Sequence, residues 1–182
     1  MIRIDSTEHP LYAAFKEVYT GSFPVFEQRT EAQQRAAFKD AAYRLTAYTE
    51  NGTLTGFIAY WIFEDYMYIE HFAMSPALRG NGYGSRALND FISGNPRTVL
   101  LEIDPVTDAV SAARLRFYER CGFCTNEYRH IHPPYREGYA GHPLVVLSSR
   151  RTITPHEYAQ FARYLAETVM KQEDGSSKKY YH

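Results

Sequence analysis

Several segments of the chain alternate apolar and polar residues or stay apolar almost throughout, which is the pattern of β-strands. The run at 57–63 is nearly all apolar, so we expect it in the middle of a sheet with both faces covered. Asn51-Gly52 lies between two such segments and is a strong hairpin signal, so these two strands should pair antiparallel. The predicted strands span 2–4, 43–49, 54–63, 66–74, 98–103, 123–132 and 144–149.

Other segments place apolar residues three or four positions apart, which is the spacing of one helical face. Thr30 and Thr154 are each followed three residues later by Gln or Glu, so both should cap a helix N-terminus. The last helix should pack on the domain or on a second copy in a homodimer. The predicted helices run from Pro10 to a break at Gly21, from Thr30 to 41, and over 85–92, 108–121 and 154–169.

Length and charge limit the class of protein. A chain of 182 residues can bury one substantial core, and we expect one domain over 1–171 followed by a mobile polar tail at 172–182. The net charge of −1, with both signs spread along the chain, disfavours nucleic acid or an anionic membrane as a partner. The charged amino end, together with the lack of an apolar stretch of about 18 residues, predicts a cytoplasmic protein.

The two cysteines, Cys121 and Cys124, have a spacing that occurs in redox and zinc sites. A redox pair needs its first sulfur at a helix N-terminus, but Cys121 ends a predicted helix, with Gly122 as the cap residue. A zinc site needs two further ligands, and only His130 and His132 are nearby in sequence. We therefore predict two small packing residues near a helix end, and no metal.

A glycine-rich loop joins the predicted strand at 66–74 to the helix at 85–92. Gly80, Gly82 and Gly84 stand at alternate positions in it. Glycine lets a ligand approach the main chain and permits the positive φ angles at which successive N–H groups converge. Those donors, with the positive end of the helix dipole, should bind a diphosphate or a similar anion.

Two known phosphate-binding motifs fit this loop less well. A P-loop ends in Gly-Lys-Ser/Thr, and the loop has no lysine. A dinucleotide fingerprint fits Gly80-x-Gly82 and would use Glu102 for a ribose, but Ser85 replaces its third glycine. Residues 75–79 also separate the strand from the first glycine, whereas the fingerprint begins where the strand ends. A dinucleotide-dependent oxidoreductase is therefore the rival hypothesis.

Two motifs point to one family. Arg79-x-x-Gly82-x-Gly84 follows a strand, and residues 114–123 read Arg-Leu-Arg-Phe-Tyr-Glu-Arg-Cys-Gly-Phe. The first resembles the acyl-CoA-binding segment of the GNAT superfamily of N-acyltransferases, and the second resembles its helix ending Phe/Leu-Tyr-Glu-Lys-x-Gly-Phe. The resemblance covers about 43–149. It implies a single α/β (α+β) domain with a strongly bent, mixed but mostly antiparallel sheet, helices on both faces, and a cofactor cleft where strands 66–74 and 98–103 splay.

The resemblance implies acetyl-CoA as the co-substrate. Its pyrophosphate would bind the amides of the glycine loop, and its pantetheine arm would extend beside the strand as an added strand does. Ser111 and Arg114 replace an asparagine and an alanine common in the superfamily; serine still hydrogen-bonds, and arginine has the reach for a phosphate. The cofactor-binding residues predicted on this basis are Phe72, Ala73, Met74, Arg79, Gly80, Asn81, Gly82, Tyr83, Gly84, Ser85, Ser111 and Arg114.

The resemblance also implies two catalytic residues. Tyr118 aligns with the tyrosine that acts as acid beside the CoA sulfur; a core aromatic is the alternative. Glu70 lies on the strand where superfamily members often carry a base, and burial should raise its pKa toward neutrality. A hydrogen-bonded carboxylate with no chemical role is the alternative for Glu70. Alternation sends His71 to the opposite face, so only one of the two should view the cleft.

The predicted reaction is direct transfer of an acetyl group from acetyl-CoA to a primary amine of a small molecule or peptide, in a ternary complex. A non-catalytic acyl-CoA-binding module is the alternative from another class. A cationic amine prefers acidic surroundings, so acidic residues at the strand ends are expected in the cleft. These are Glu64, Asp65, Glu70, Glu102 and Asp104, and Phe26, Glu27, Tyr135 and Tyr139 are further predicted acceptor contacts.

Overall fold

An eight-stranded sheet forms the centre of the protein in the computed structural model, which describes residues 1–171. The tail predicted at 172–182 lies outside the described residues. The strands are β1 (Ile2–Ile4), β2 (Tyr43–Glu50), β3 (Thr53–Ile62), β4 (Tyr66–Met74), β5 (Thr98–Ile103), β6 (Phe123–Thr125), β7 (His130–His132) and β8 (His142–Ser149). The helices are α1 (Tyr12–Ser22), α2 (Glu31–Lys39), α3 (Tyr83–Ser93), α4 (Ala109–Arg120) and α5 (Pro155–Tyr164), which continues as a π-helical turn over Leu165–Val169.

The sheet is mixed but mostly antiparallel, as predicted. The strand order is β1-β2-β3-β4-β5-β8-β6, and β7 pairs with β8. Only β4 and β5 run parallel among the described strands. Asn51 and Gly52, with φ angles of 50° and 79°, form the tight turn between β2 and β3 and confirm the predicted hairpin.

Helices cover both faces of the sheet, and an apolar core lies under each layer. On one face, α1, α2 and α5 pack against residues around Trp61 and Tyr68. On the other face, α3 and α4 pack against residues around Ile58 and Leu101. α5 thus lies on its own domain, with Phe161 fully buried. Within residues 1–171, every helix is too short or too polar to cross a membrane.

The strand predicted over 123–132 is two strands, β6 and β7, that pair with different parts of β8. The buried Asn126 lies directly after β6, where the interruption begins. Its Nδ2 donates to the Val146 carbonyl at 3.1 Å and to Ser148 Oγ at 2.9 Å, while its Oδ1 accepts from the Ile153 amide at 2.8 Å. The Asn126 amide also donates to the Val146 carbonyl at 3.0 Å, so pairing with β8 extends to this residue, and the chain then leaves the sheet until His130.

The end of α4 has the predicted cap. Cys121 is the C-cap residue of α4, and Gly122 follows it with a φ of 83°, a conformation that favours glycine. Both cysteines are free, and burial raises the pKa of the Cys121 thiol, so it is a poor thiolate. In the part of the chain that the structure describes, no group of three His, Cys, Asp or Glu side chains is arranged to hold a metal ion.

Candidate active site

A cleft opens where β4 and β5 separate. Their parallel pairing ends at Ile69 and Leu101, although β4 continues to Met74 and β5 to Ile103. The resulting cleft has a volume of about 860 Å³ and lies between the ends of these strands, α4 and the loop before α3. The splay predicted from the resemblance is therefore present, and it exposes an edge of β4 in the middle of the sheet.

The exposed edge of β4 carries main-chain groups that point into the cleft. The Ser75 amide donates to the Thr55 carbonyl at 2.9 Å, which marks a hydrogen-bonded pair with β3. Because such pairs alternate along an antiparallel ladder, Ala73 also faces β3, while Phe72 and Met74 direct their amides and carbonyls to the open side. Arg79 Nε donates to the Met74 carbonyl at 3.2 Å, so that acceptor is already occupied.

The glycine loop is an open cradle of N–H groups at the start of α3. Gly80 and Gly82 have φ angles of 81° and 75°, and Gly82 is the N-cap residue. Residues 80–85 make no amide hydrogen bond to another described residue, as expected for the first turn of a helix. No heavy atom comes within 4 Å of a Cβ built at Gly80, so the space beside this residue is open.

Gly84 has a different role from the two glycines before it. A Cβ at Gly84 would lie 3.4 Å from Met74 Cγ and 3.8 Å from Phe72 Cζ. These are ordinary van der Waals separations, so α3 packs directly against β4 at this position, and the packing brings the amide cradle next to the exposed strand edge. Arg79 helps to fix the same junction, since its guanidinium also donates to Ser22 Oγ at 3.0 Å.

Tyr118 lies in the wall of the cleft opposite β4. α4 begins at a capping box in which the Asp108 carboxylate accepts from the Ser111 amide at 2.7 Å. The helix holds Tyr118 between the rings of Phe117 and Phe123, with centroid separations of 5.1 and 5.7 Å. Burial raises the pKa of the Tyr118 hydroxyl to about 12, so at neutral pH it keeps its proton.

Ser111 and Arg114 stabilise α4 and the cleft wall through contacts within the protein. Ser111 Oγ accepts from the amides of Thr107 and Asp108 at 3.0 Å. Arg114 forms an ion pair with Asp104, which follows β5. The cofactor contacts predicted for both residues stay predictions.

Glu70 lines the cleft, but its carboxylate is fully buried. Oε1 lies 2.8 Å from Arg29 Nε, and Oε2 accepts from Trp61 Nε1 at 2.8 Å. Burial by itself acts to raise the pKa of Glu70, but the charge of Arg29, followed by His71 and the Trp61 hydrogen bond, outweighs it and holds that pKa below its ordinary value. The raised pKa predicted for Glu70 is therefore wrong, because the sequence did not reveal Arg29 as its partner.

The predicted division of Glu70 and His71 between two faces is also wrong. The register of β3 and β4 shifts between Ala59 and Tyr60, so that Glu70 is an extra residue in a β-bulge. The extra residue reverses the alternation, and both side chains face the same side, with His71 Nδ1 3.8 Å from Glu70 Oε1. His71 Nε2 donates to the Glu27 carbonyl at 2.9 Å.

Glu102 is held in a buried network below the cleft. Its carboxylate accepts from the Tyr68 hydroxyl and from His130 Nε2, and its Oε2 lies 3.7 Å from His132 Nε2. Burial acts to raise the pKa of Glu102, but the two histidines and Tyr68 outweigh it and lower that pKa. A carboxylate with these partners, at 4% exposure, is not free to bind a ribose, as the dinucleotide hypothesis required.

The predicted acidic lining is only partly present. Glu64 and Asp65 lie in the turn that begins β4, at the opposite end of the strand from the cleft, so that part of the prediction is wrong. Glu102 and Asp104 line the cleft, as do Phe26, Glu27 and Tyr135, which were predicted as acceptor contacts. Tyr139 does not line the cleft but packs beside Phe26, with ring centroids 6.2 Å apart.

Glu27 has the environment that was predicted for Glu70. It ends the 3-10 turn Val25–Glu27 between α1 and α2, and its side chain is 23% exposed. Burial raises the pKa of Glu27 to about 7, with a further contribution from the negative charge of Asp104. The raised pKa of Glu27 could not be predicted from the sequence, since the charges that face Glu27 come from β5, α4 and β8.

The splayed strands, the amide cradle and the tyrosine of α4 define the GNAT class of acyltransferases. The chain belongs to the acetyltransferase (GNAT) family, whose model matches residues 9–123, so the predicted family is confirmed. No curated protein matches the chain in sequence.

Solved structures share the fold over most of the chain. A GNAT-family acetyltransferase from Bacteroides thetaiotaomicron is 28% identical with a TM-score of 0.86, covering 94% of this chain and 98% of that one. The ribosomal-protein-S18-alanine N-acetyltransferase from Escherichia coli is 18% identical with a TM-score of 0.56, covering 84% and 95%. An aminoglycoside 6′-N-acetyltransferase complexed with coenzyme A is 15% identical with a TM-score of 0.54, covering 82% and 96%. The last two similarities show that these proteins share the fold of this chain.

Proposed function

We propose that this protein transfers the acetyl group of acetyl-CoA directly to the primary amine of a small molecule or peptide in a ternary complex. The observation that carries the proposal is the meeting of three parts in one cleft: an open amide cradle, an unpaired strand edge and a protonated tyrosine. The structure of a similarly folded acetyltransferase with coenzyme A supports the choice of cofactor.

Each part has a task in this reaction. The amides of residues 80–85 bind the pyrophosphate, and Asn81, Tyr83 and Ser85 contribute main-chain donors with the glycines. The pantetheine arm extends along Phe72 and Met74, and an amide on this edge polarises the thioester carbonyl, an effect typically worth about 3 kcal/mol. Tyr118 then gives its proton to the CoA thiolate as it leaves.

Tyr118→Phe tests the assignment of the acid. The variant should bind acetyl-CoA as the wild type does, measured by its shift of the melting temperature, and should lose about 10²-fold or more in kcat for thiol release with an amine acceptor. Tyr60→Phe is the matched control, because Tyr60 packs against Phe91 outside the cleft. Equal kcat in the two variants would remove Tyr118 from the mechanism.

The same assay separates the enzyme from an acyl-CoA-binding module. An enzyme releases thiol in proportion to an added amine, whereas a binding module is stabilised by acetyl-CoA but releases no thiol with any member of an amine panel. The panel should include polyamines, amino sugars, arylalkylamines and peptide amines. Stabilisation by NAD rather than by acetyl-CoA would contradict the choice of cofactor.

A further inference from the structure

The proposed transfer needs a group that takes a proton from the acceptor, because a primary amine is a cation at neutral pH and cannot attack until it is deprotonated. We propose that Glu27 is this base, an inference that rests on the proposed function. The carboxylate of Glu27 lies in the cleft, and its 23% exposure leaves it accessible to a bound amine.

The position of Glu27 is fixed from the floor of the cleft. His71 Nε2 donates to the Glu27 carbonyl at 2.9 Å, and the Glu27 amide donates to the Pro24 carbonyl at 2.9 Å. Burial lowers the pKa of His71 to about 4, so it stays neutral and keeps this donor at neutral pH. The 3-10 turn is therefore anchored to β4, beside the strand edge on which the thioester would lie.

The groups that face Glu27 disfavour its charged form. Asp104 and Glu102 face it from the end of β5, and Arg114 faces it from α4 with the opposite effect. His142 of β8 has Nε2 3.9 Å from Glu27 Oε1, and burial lowers the pKa of His142, so it adds little positive charge. A carboxyl with a pKa of about 7 is balanced between its two forms at the pH where it must accept a proton.

The other candidates in the cleft are engaged elsewhere. Glu70 and Glu102 have lowered pKa values and buried partners, and Asp104 is paired with Arg114. His132 has Nδ1 2.6 Å from the Pro133 carbonyl, so Nδ1 donates there; its Nε2 is buried and faces Glu102. Neither nitrogen of His132 is open to a substrate, and Nε2 of His142 is likewise buried, 3.9 Å from Glu27 Oε1.

The proton balance of the step is complete. The Glu27 carboxylate takes one proton from the ammonium, and the free amine attacks the acetyl carbonyl carbon. The C–S bond breaks, the sulfur receives a proton from Tyr118, and the nitrogen loses its second proton, which restores the tyrosine directly or through water. Glu27 then releases its proton to solvent, so that ammonium and acetyl-CoA give amide, CoA thiol and one proton.

The pH dependence of kcat/KM tests this role with Glu27→Gln. The wild type should rise with pH and level off near pH 7, where Glu27 becomes a carboxylate. The variant should be lower by about 10²-fold or more at pH 7, and should keep rising about tenfold per pH unit because only amine already deprotonated in solution reacts. Glu17→Gln, at an exposed position of α1, is the control.

Asp104→Asn provides a measurement that would not change if Glu27 had only a structural role. Removing this negative charge and freeing Arg114 should lower the pKa of Glu27, so the acid limb of kcat/KM should shift to lower pH. An unshifted limb in Asp104→Asn, or a wild-type profile in Glu27→Gln, would overturn the assignment while leaving the transferase proposal standing. Failure of the wild type to release thiol with any amine would instead overturn the proposed function, and this inference with it.

Discussion

The folded protein disfavours the charged form of Glu27, and the effect of this single residue on stability can be measured without a substrate. Its carboxyl is partly buried and faces further negative charge. A raised pKa in the folded state means that the unfolded chain gives up this proton first. The folded state therefore loses stability as the pH rises from the ordinary carboxyl range through about 7.

Glu27→Gln should consequently stabilise the protein at pH 8 while it lowers activity. The shift in pKa corresponds to about 1–3 kcal/mol once partial exposure is allowed for, which is a few degrees in melting temperature. At pH 4 residue 27 is neutral both as the protonated Glu27 of the wild type and as the glutamine of the variant, so the two proteins should melt at the same temperature. A variant that is less stable than the wild type at pH 8 would show that the carboxylate is favoured by the fold.

At the scale of a single element, β4 is organised by its bulge. The extra residue at Glu70 turns both Glu70 and His71 to one side and returns Phe72 to the other. The buried pair of Glu70 with Arg29 stabilises that arrangement from the loop before α2. The guanidinium of Arg29 also lies 5.5 Å from the Trp61 ring and donates to the Val169 carbonyl at 2.7 Å, so it joins β4, β3 and the π-helical turn that follows α5.

Arg29→Met should destabilise the protein by about 3–5 kcal/mol, because it leaves the Glu70 carboxylate buried without its partner. Adding Glu70→Gln should recover part of this loss, since the uncompensated charge is then removed. Urea unfolding measures both changes. Arg35→Met is the control: Arg35 is exposed and lies 3.8 Å from Glu31, so its loss should change the free energy of unfolding by less than about 0.5 kcal/mol. A double variant no more stable than Arg29→Met would contradict the explanation.

For the whole molecule, most of the framework could be predicted from local pattern. The limits of β4 and β5 follow from strand-like segments between turn signals. Thr30 and Thr154 cap helices as predicted, and α4 begins directly after Asp108, where its helix was predicted to start. The bulge at Glu70 could not be predicted, because residues 66–74 are apolar except at Glu70 and His71 and therefore show no polar–apolar alternation in which an inserted residue would stand out. The environment of Glu27 could not be predicted either, because its pKa depends on charges brought together only by the complete sheet.

The buried titratable groups make the whole molecule sensitive to acid. His71 has a pKa lowered to about 4, and the pKa values of Glu70 and Glu102 are also lowered, so in each case the unfolded chain binds protons more readily. Stability contributed by such groups is present above the unfolded pKa and is lost as the pH falls through the folded pKa. For His71 that window runs from about 6.5 down to about 4.

Because Glu27 acts in the opposite direction over nearly the same window, the acid sensitivity should be measured in Glu27→Gln. In that background the free energy of unfolding should fall by about 3 kcal/mol or more between pH 6.5 and pH 4, from His71 alone. Replacing His71 with Gln, which keeps a donor toward the Glu27 carbonyl, should flatten the curve. A curve of unchanged slope would assign the sensitivity to other groups.

The unpaired edge of β4 should affect how fast its amide hydrogens exchange with solvent. The amides of Phe72 and Met74 belong to a central strand, yet they face a cleft instead of a neighbouring strand. Without cofactor they should exchange with deuterium at the rate of a surface loop, while Ala73 between them exchanges slowly. In the proposed complex the pantetheine arm would hydrogen-bond to this edge of β4, so binding of acetyl-CoA should slow exchange at both amides.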